Sequence, residues 1–369
     1  MRLPPKFTMN ILIVNHHPQD IVGGSEIQCD LIASRLTRMG HQVIYLAVNG
    51  TRQAYDAPYR VERASLRWSE LRKIARAYRP DLVYWRFNKR KWLASALLFR
   101  LMRVKVVFAI SHVNDVKKWS HKVRRDAPDL RGTVRQYFQS VRPALSSRLN
   151  HVGFWFADGV VAQLESQTGY IRRVPEAVIP NSVDAECVPF SWRRPFVIWA
   201  ASIKQSKNPD QFIELARRLQ DAPVDFLMAG EIVHRRYHDI IAQAATLPNF
   251  HYLGVKTYRE LNGMIRQAQL LAHTCEPEGF PNVFIQAWMQ GTPTVSAYYD
   301  PDQIIQRERL GLCSGTFEQF QRDVRLLLDN DALRGEIGQR AKQFAEARFS
   351  LEANMRQLEA FFIRVCQRT

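Results

Sequence analysis

The sequence has 369 residues and no apolar run that approaches the ~20 residues needed to cross a bilayer, which predicts a protein without membrane-spanning segments. The apolar stretch at residues 11–14 stops at Asn15, too early for the hydrophobic region of a signal peptide. The five cysteines have no CxxC or CxxxH spacing, so neither a zinc site nor a disulfide framework is indicated. We therefore expect a cytoplasmic protein with free thiols.

Several binding fingerprints are also missing. The chain contains no G-x-G-x-x-G motif and no Walker loop, so nothing marks a nicotinamide-binding or P-loop protein. It contains no helix-turn-helix, zinc-finger or RNP signature, and we expect no nucleic-acid partner. No repeat of 20 to 50 residues is visible, while the apolar content of 46% excludes a disordered chain.

Acidic residues are scarce in the first half of the chain. Residues 1–184 hold 30 Lys and Arg against 14 Asp and Glu, whereas residues 185–369 hold 22 against 21. Residues 86–150 alone carry 16 basic and 3 acidic side chains, interleaved with aromatic residues. A basic aromatic face can attract an anionic lipid surface or nucleic acid, and a plain solvated surface has the same composition. Charge alone does not distinguish a lipid-binding face, a nucleic-acid-binding face and a plain solvated surface.

Short apolar runs alternate with helical patterns along the first half. Residues 10–15 predict a strand, a glycine-containing loop follows, and apolar residues at helical spacing predict a helix over 27–39. Gly40 stands where a C-cap glycine ends a helix. Further strands are predicted at residues 41–48, 81–85, 105–110, 159–163 and 177–180. This alternation is typical of a parallel, doubly wound α/β sheet.

The pattern lapses at residues 181–195 and then starts again. Strands are predicted at residues 195–202, 224–230, 250–254 and 270–274, and a further strand after Gly291. Helices are predicted at 210–219, 257–268, 283–290 and 351–366, and another ends near Thr246. We therefore predict two Rossmann-like domains, residues 9–184 and 185–348, which face an interdomain cleft where the carboxyl ends of their strands bind ligands. The final segment, residues 349–369, is expected to pack back toward the first domain.

Paired glycines, Gly23 and Gly24, lie in the loop after the first predicted strand. Their backbone can approach a ligand closely, and the helix N-terminus that follows favours an anion, so a phosphate fits there. Paired glycines are equally common in plain turns. His16 and His17 lie beside this loop and could contact an acceptor or a phosphate.

Residues 275–296, CEPEGFPNVFIQAWMQGTPTVS, resemble the nucleotide-sugar site of family 4 retaining glycosyltransferases, with the pattern E-G-F-x-x-x-x-x-E followed by A-x-x-x-G-x-P. The resemblance places Glu278 where the family addresses the donor sugar. Gln286 stands at the second Glu position, which binds ribose hydroxyls. An amide can form hydrogen bonds there but loses a charge-assisted bond, which is roughly twice as strong.

The resemblance extends along nearly the whole chain from Met9. Residues 199–219 are similar to the family stretch V-G-R-x-x-x-x-K, in which Arg and Lys hold the donor diphosphate. Lys207 occupies the Lys position and Ser202 the Arg position. His112 follows the strand at 105–110, where the family often has a histidine near the donor sugar, and a core or surface histidine is an equal alternative.

The resemblance implies a GT-B fold and a retaining transfer of sugar from a UDP- or GDP-linked donor to an acceptor hydroxyl. Glu278, Lys207 and His112 are the expected catalytic residues. The expected donor-binding residues are Gly23, Gly24, Ser202, Lys207, Val255, Glu278, Gly279, Phe280, Pro281, Asn282 and Gln286. We expect no cofactor beyond the donor and no metal, because the family is metal-independent and Asp300 and Asp302 flank a proline in a common turn sequence.

In this family the first domain binds the acceptor, and here that domain is basic. This combination favours a lipid-linked or anionic glycan acceptor at the inner face of the cytoplasmic membrane, in cell-surface polysaccharide or glycolipid assembly. Two alternatives stay open. One is a nucleotide-sugar epimerase of the same fold, and the other is a catalytically impaired protein that binds through its basic face.

Overall fold

The computed structural model describes residues 8–89, 91–116, 148–171, 176–275 and 279–368. The chain divides into two compact units. The first comprises Met1–Pro180 with Glu352–Thr369, and the second is Asn181–Leu351. The change of unit after residue 180 lies four residues before the predicted boundary at 184, and residues 181–195 contain no helix or strand.

The first unit contains a seven-stranded, fully parallel sheet with the strand order β3-β2-β1-β4-β5-β6-β7. Its strands are β1 (Asn10–Asn15), β2 (Gln42–Val48), β3 (Arg60–Ala64), β4 (Leu82–Trp85), β5 (Lys105–Ala109), β6 (Gly159–Ala162) and β7 (Glu176–Val178). Within residues 8–89 and 91–116 its helices are α1 (Gly24–Arg38), α2 (Trp68–Tyr78) and α3 (Trp92–Leu101). The central strands are buried on both faces, which explains their continuous apolar sequences.

Alternate strand residues form the core on one side of this sheet. Val14, Val83 and Trp85 of the strands pack there with Leu71 of α2 and Trp92 of α3. The period of two along each strand sends the intervening residues to the opposite face. The helices α2 and α3 therefore cover the same side of the first sheet.

The last helix, α11 (Leu351–Gln367), belongs to the first unit. The Phe362 ring lies 5.5 Å from the Tyr84 ring, and the imidazole of His41 is 2.9 Å from a carboxylate oxygen of Glu359. Arg35 of α1 forms an ion pair with Glu352 at the start of α11. The apolar stripe of this helix is thereby buried against residues that precede it by more than 180 positions.

The second unit contains a six-stranded parallel sheet with the order β10-β9-β8-β11-β12-β13. Its strands are β8 (Phe196–Ala200), β9 (Asp225–Ala229), β10 (Phe250–Tyr252), β11 (Leu270–His273), β12 (Thr294–Ser296) and β13 (Gly311–Cys313). Its helices are α4 (Pro209–Arg218), α5 (Arg236–Ala244), α6 (Tyr258–Gln267), α7 (Asn282–Met289), α8 (Ile304–Arg307), α9 (Phe317–Asp329) and α10 (Asp331–Arg348). Large aromatic side chains fill its core, among them Trp199, Phe212 and Phe226.

The predicted architecture of two doubly wound parallel sheets is confirmed. The sequence analysis missed β3 and β13, which lie at sheet edges. Edge strands bury little on one side, so β3 carries the polar sequence RVERA instead of an apolar run. None of the described helices combines the length and the apolar character that a membrane-spanning helix needs.

Candidate functional site

The loop that contains Lys207 is fastened to the end of β11 in the second unit. The Trp199 indole donates to the Thr274 hydroxyl (2.9 Å), which donates to the backbone carbonyl of Lys207 (2.8 Å). Asn208 donates its side-chain amide to the carbonyl of Thr274 (3.1 Å). Asn208 has the left-handed backbone conformation that Asn tolerates, and Pro209 then begins α4. This arrangement fixes the backbone of a half-buried lysine at the carboxyl edge of the sheet.

Ser202 lies on the same edge, directly after β8, and is half-buried. The loop that contains Gly230 packs tightly against Ala201, the residue before Ser202. A Cβ at Gly230 would lie 1.9 Å from the carbonyl oxygen of Ala201. Gly230 in turn donates its N–H to the carbonyl of Gly254 (2.9 Å), beside the exposed Val255. Glycine is therefore required at 230, a feature that the sequence analysis missed.

The N-terminus of α7 contains four of the predicted donor-binding residues. Pro281 is the N-cap and gives the helix no side-chain cap, so the amides of the first turn and the helix dipole are directed at this edge. The Tyr299 hydroxyl donates to the carbonyl of Gly279 (2.9 Å), and Asn181 donates to the Asn282 side chain (2.7 Å). The Phe280 side chain is buried, with its ring 5.3 Å from the Phe349 ring. Residue 280 therefore presents only its backbone at the surface of this loop.

Gln286 points into the interior of the second unit. Its amide donates to the Asn262 side-chain oxygen (2.8 Å), and Asn262 donates to the carbonyls of Asp184 (2.9 Å) and Glu186 (2.8 Å). Gln286 is buried and shares a polar network with the segment that enters the second unit. Sequence reasoning did not find Asn262, because its partners lie far away along the chain.

Glu278 lies outside the described residues, as do residues 117–147, which hold eight of the 16 basic side chains of the predicted basic face. The structure brings Ser202, Lys207 and the α7 N-terminus to one edge of the second unit's sheet. The donor-binding and catalytic roles of all these residues stay predictions.

The glycine loop of the first unit is shorter than predicted. The helix α1 begins at Gly24 instead of residue 27, and Gly23 is its extended N-cap without a side-chain cap. The carbonyl of Gly23 accepts the N–H of Ile27 (3.0 Å). Gly24 therefore contributes the first helical amide, the position at which a helix N-terminus can meet an anion.

His17 is buried and enclosed by tyrosines. The suggestion that it contacts a ligand stays a prediction. The Gln19 N–H is donated to Nδ1 of His17 (3.3 Å), so Nε2 carries the proton of the neutral ring and faces the Tyr59 hydroxyl (3.2 Å). Tyr59 donates to Asp30. Burial lowers the pKa of His17, which keeps the ring neutral. His16 is half-buried, with Nδ1 2.9 Å from the carbonyl of Val48.

His112 follows β5, as predicted, at the carboxyl edge of the first sheet. Its Nδ1 accepts the backbone N–H of Asn114 (3.0 Å). The backbone N–H groups of His112 (2.8 Å) and Ser111 (3.1 Å) are both donated to the Asp115 carboxylate. Burial raises the pKa of Asp115 and lowers the pKa of the nearby Lys89. Sequence reasoning missed Lys89 and Asp115, since isolated charged residues in loops carry no spacing signal.

The Asp-Pro-Asp turn has a structural role. The Asp300 carboxylate accepts the N–H groups of Ile305 (2.8 Å) and Gln306 (3.0 Å) at the start of α8. Within the part of the chain that the structure describes, no three His, Cys, Asp or Glu side chains gather in a way that could hold a metal ion.

Three solved structures illustrate the fold. HepE of Anabaena, in complex with UDP and glucose, is 16% identical, with 96% of this chain and 100% of that chain covered and a TM-score of 0.72. Sucrose-phosphate synthase of Thermosynechococcus elongatus is 15% identical, with coverages of 97% and 99% and a TM-score of 0.73. WaaG, a glycosyltransferase involved in lipopolysaccharide biosynthesis, is 13% identical, with coverages of 95% and 99% and a TM-score of 0.69.

Two family models match the chain in succession. "Glycosyltransferase Family 4" matches residues 22–186, and "Glycosyl transferases group 1" matches residues 189–344. Only residues 1–21, 187–188 and 345–369 lie outside both matches. No curated protein matches the sequence. With both halves matched in the expected order on a GT-B fold, the chain belongs to the GT-B glycosyltransferases of the family 4 type.

Proposed function

We propose that this glycosyltransferase moves a sugar from a nucleoside diphosphate sugar to an acceptor hydroxyl, with retention of configuration and without a metal ion. The observation that carries the proposal is the edge of the second unit's sheet, where Lys207 is fastened through Thr274 and α7 begins without a side-chain cap. A lysine on a fixed backbone and a helix N-terminus without a side-chain cap suit a diphosphate at the carboxyl ends of parallel strands. HepE, which binds UDP and UDP-glucose, supports a UDP-linked donor.

The chemistry follows from the charge that develops on the leaving diphosphate. The acceptor hydroxyl attacks the anomeric carbon on the face from which the diphosphate departs, and a phosphate oxygen takes the hydroxyl proton. Lys207 and the helix amides stabilise the departing charge without reorganisation. On the family resemblance, Glu278 orients the sugar hydroxyls and His112 lies near the sugar. Asp300 already serves two backbone amides, which supports a metal-independent reaction.

We assign the acceptor to the first unit and place the protein at the inner face of the cytoplasmic membrane. Residues 1–184 have a net charge of +16, and the cytoplasmic leaflet has a negative surface potential. WaaG is involved in lipopolysaccharide biosynthesis, which supports a role in cell-surface polysaccharide or glycolipid assembly. The epimerase and binding-protein alternatives have no observation in their favour, because both family models describe transferases.

Calorimetric titration with UDP and GDP in the presence of EDTA tests the donor site. We expect saturable binding of one nucleotide, and its loss in Lys207→Ala while Lys342→Ala, an exposed lysine on α10, binds as the wild type does. Thermal melting of all three proteins monitors folding. Absence of binding to either nucleotide by the folded wild type would refute the proposed donor.

A further inference from the structure

The first unit exposes a group of large apolar side chains on the side covered by α2 and α3. Trp68, the first residue of α2, is 42% exposed, and Leu149, Val152 and Trp155 are 52%, 42% and 69% exposed. Exposed apolar residues are ordinary when they occur singly, but a group of them marks an interaction surface.

These residues lie at the same edge of the sheet. The helices α2 and α3 both follow parallel strands, so their first residues lie at the carboxyl edge. Asn150 accepts the N–H of Leu93 (3.2 Å), and a Cβ at Gly153 would lie 2.8 Å from the Leu93 Cα. Residues 149–155 therefore sit beside the start of α3, on the edge where Trp68 begins α2.

The same surface is strongly basic. Residues 67–79 contain five basic side chains and one acidic side chain, Glu70, whose carboxylate accepts the Ser65 N–H (2.7 Å) and hydroxyl (3.0 Å). Trp68, Arg72, Lys73 and Arg76 line one groove along α2. We name the α2–α3 face by its exposed members: Arg67, Trp68, Arg72, Lys73, Arg76, Lys91, Arg148, Leu149, Val152 and Trp155.

We propose that the α2–α3 face docks on an anionic lipid bilayer, an inference that rests on the proposed membrane location. Tryptophan favours the headgroup level, and each basic side chain near an anionic surface strengthens binding about fivefold. The exposed Leu149 and Val152 favour lipid over nucleic acid, since aliphatic side chains gain nothing from a phosphate backbone.

Flotation with phosphatidylcholine vesicles, with and without one quarter phosphatidylglycerol, tests the face. We expect the wild type to float with anionic vesicles only. Arg72→Ser/Lys73→Ser/Arg76→Ser should bind at least tenfold more weakly, and Trp68→Ser/Trp155→Ser should bind several-fold more weakly. Arg193→Ser/Arg322→Ser/Lys342→Ser removes the same charge from the second unit and should bind as the wild type does.

Equal flotation of the wild type and the α2 triple variant would overturn this face while leaving membrane association intact. No flotation of the wild type would refute the membrane location as well, but not the donor site, which UDP or GDP binding reports separately. Tighter, salt-sensitive binding to a DNA duplex that the α2 triple variant loses would assign the face to nucleic acid and overturn the proposal.

A second, independent observation concerns position 202, where this chain has Ser202 in place of the family's arginine. The loop after β9 is bonded to the residue next to Ser202. The Ile203 N–H is donated to the carbonyl of Glu231 (2.7 Å), and the Val233 N–H is donated to the carbonyl of Ile203 (3.1 Å). This loop therefore runs along the edge that holds Ser202.

Two arginines follow in the same loop and helix start. The Arg236 guanidinium lies over the Tyr237 ring (4.7 Å) and donates to its hydroxyl (2.6 Å), which donates to Asp210 (3.3 Å). Asp210 is in the first turn of α4, three positions after Lys207. Arg235 is exposed, and within the described residues its guanidinium has neither a hydrogen bond nor an ion pair.

We infer that Arg235 supplies the second positive charge on the donor diphosphate, which Ser202 cannot supply. Arg236 anchors the start of α5 beside α4, and the neighbouring Arg235 stays available for a ligand. A guanidinium suits this task because it can form two parallel hydrogen bonds to phosphate oxygens. The inference rests on the proposed nucleoside diphosphate donor.

Titration with the nucleotide that the wild type binds tests Arg235. We expect Arg235→Gln to weaken binding roughly tenfold or more, Arg193→Gln to leave it unchanged, and Ser202→Arg/Arg235→Gln to recover most of the loss. Wild-type affinity in Arg235→Gln would overturn the inference but leave the donor site standing. Weak binding in Arg235→Gln that Ser202→Arg does not restore would also overturn it. Failure of the wild type to bind UDP and GDP would refute the donor site itself.

Discussion

The two sheets share a parallel topology, yet the charged groups at their carboxyl edges differ in burial. In the first unit, His17, Lys89 and Asp115 are surrounded by protein. Burial lowers the pKa of His17 and Lys89 and raises the pKa of Asp115, which favours the neutral form of each side chain. In the second unit, Lys207 is half-buried and Arg235 is exposed. The first edge uses ionisable groups to shape its loops, whereas the second presents positive charge.

Buried and exposed charges at strand ends serve different needs. The loops at the first edge, where we propose that the acceptor binds, are held in a fixed shape by internal hydrogen bonds. A site for a diphosphate needs positive potential in place before the reaction begins. Substitution of the buried charged groups at the first edge should therefore lower stability, and substitution of Lys207 at the second edge should lower turnover.

Lys207→Ala should have the largest effect on activity. We expect turnover to fall at least about 100-fold, because a cation on the departing diphosphate is removed. The melting temperature should stay within about 2 °C of the wild type, since the Thr274 bond is made to the backbone of residue 207. Steady-state kinetics and thermal melting measure the two effects, with Lys342→Ala as the control. A large loss of stability would mean that Lys207 is structural.

Asp115→Ala tests the first edge. Two backbone amides lose their acceptor, so we expect unfolding in urea to require about 3 kcal/mol less free energy. Asp329→Ala removes an exposed carboxylate and should change stability by less than about 0.5 kcal/mol. A stable Asp115→Ala variant with lost activity would reverse the assignment of this edge.

Gln286→Glu distinguishes the role that the family resemblance implies for position 286 from the buried contact with Asn262 in the structure. The substitution restores the family residue, but a buried carboxylate cannot donate to Asn262, whose own amide serves two carbonyls. We expect a loss of about 1–3 kcal/mol in unfolding free energy and no gain in nucleotide affinity. Tighter nucleotide binding with unchanged stability would show that position 286 faces the donor.

The smallest effect concerns pH. The pKa of His17 in the folded protein lies below its ordinary value of 6.5. As the pH drops below 6.5, His17 is therefore protonated in the unfolded chain before it is protonated in the folded protein, and the free energy of unfolding falls. The loss is at most about 1.4 kcal/mol per pH unit. Urea unfolding at pH 7.5 and 5.5 should show this loss in the wild type, and His17→Gln should lack it. An identical slope in His17→Gln would exclude His17 as its source.

The sequence predicted what is periodic or local. The buried strands β1, β4 and β8 were predicted because a central parallel strand needs apolar residues on both faces. The resemblance led to Lys207 and the α7 N-terminus. The Gln286–Asn262 bond, the tyrosines around His17 and the requirement for Gly230 depend on contacts between distant segments, which no local pattern encodes.

The path of the chain also affects the order of folding during synthesis. The helix α11 completes the core of the first unit through Phe362 and Tyr84, yet it is translated after the whole of the second unit. The ribosome therefore releases a finished second sheet while the first still lacks one of its covering helices. Chaperone demand should fall on the first-made half of the chain, reversing the usual order in which N-terminal domains mature first.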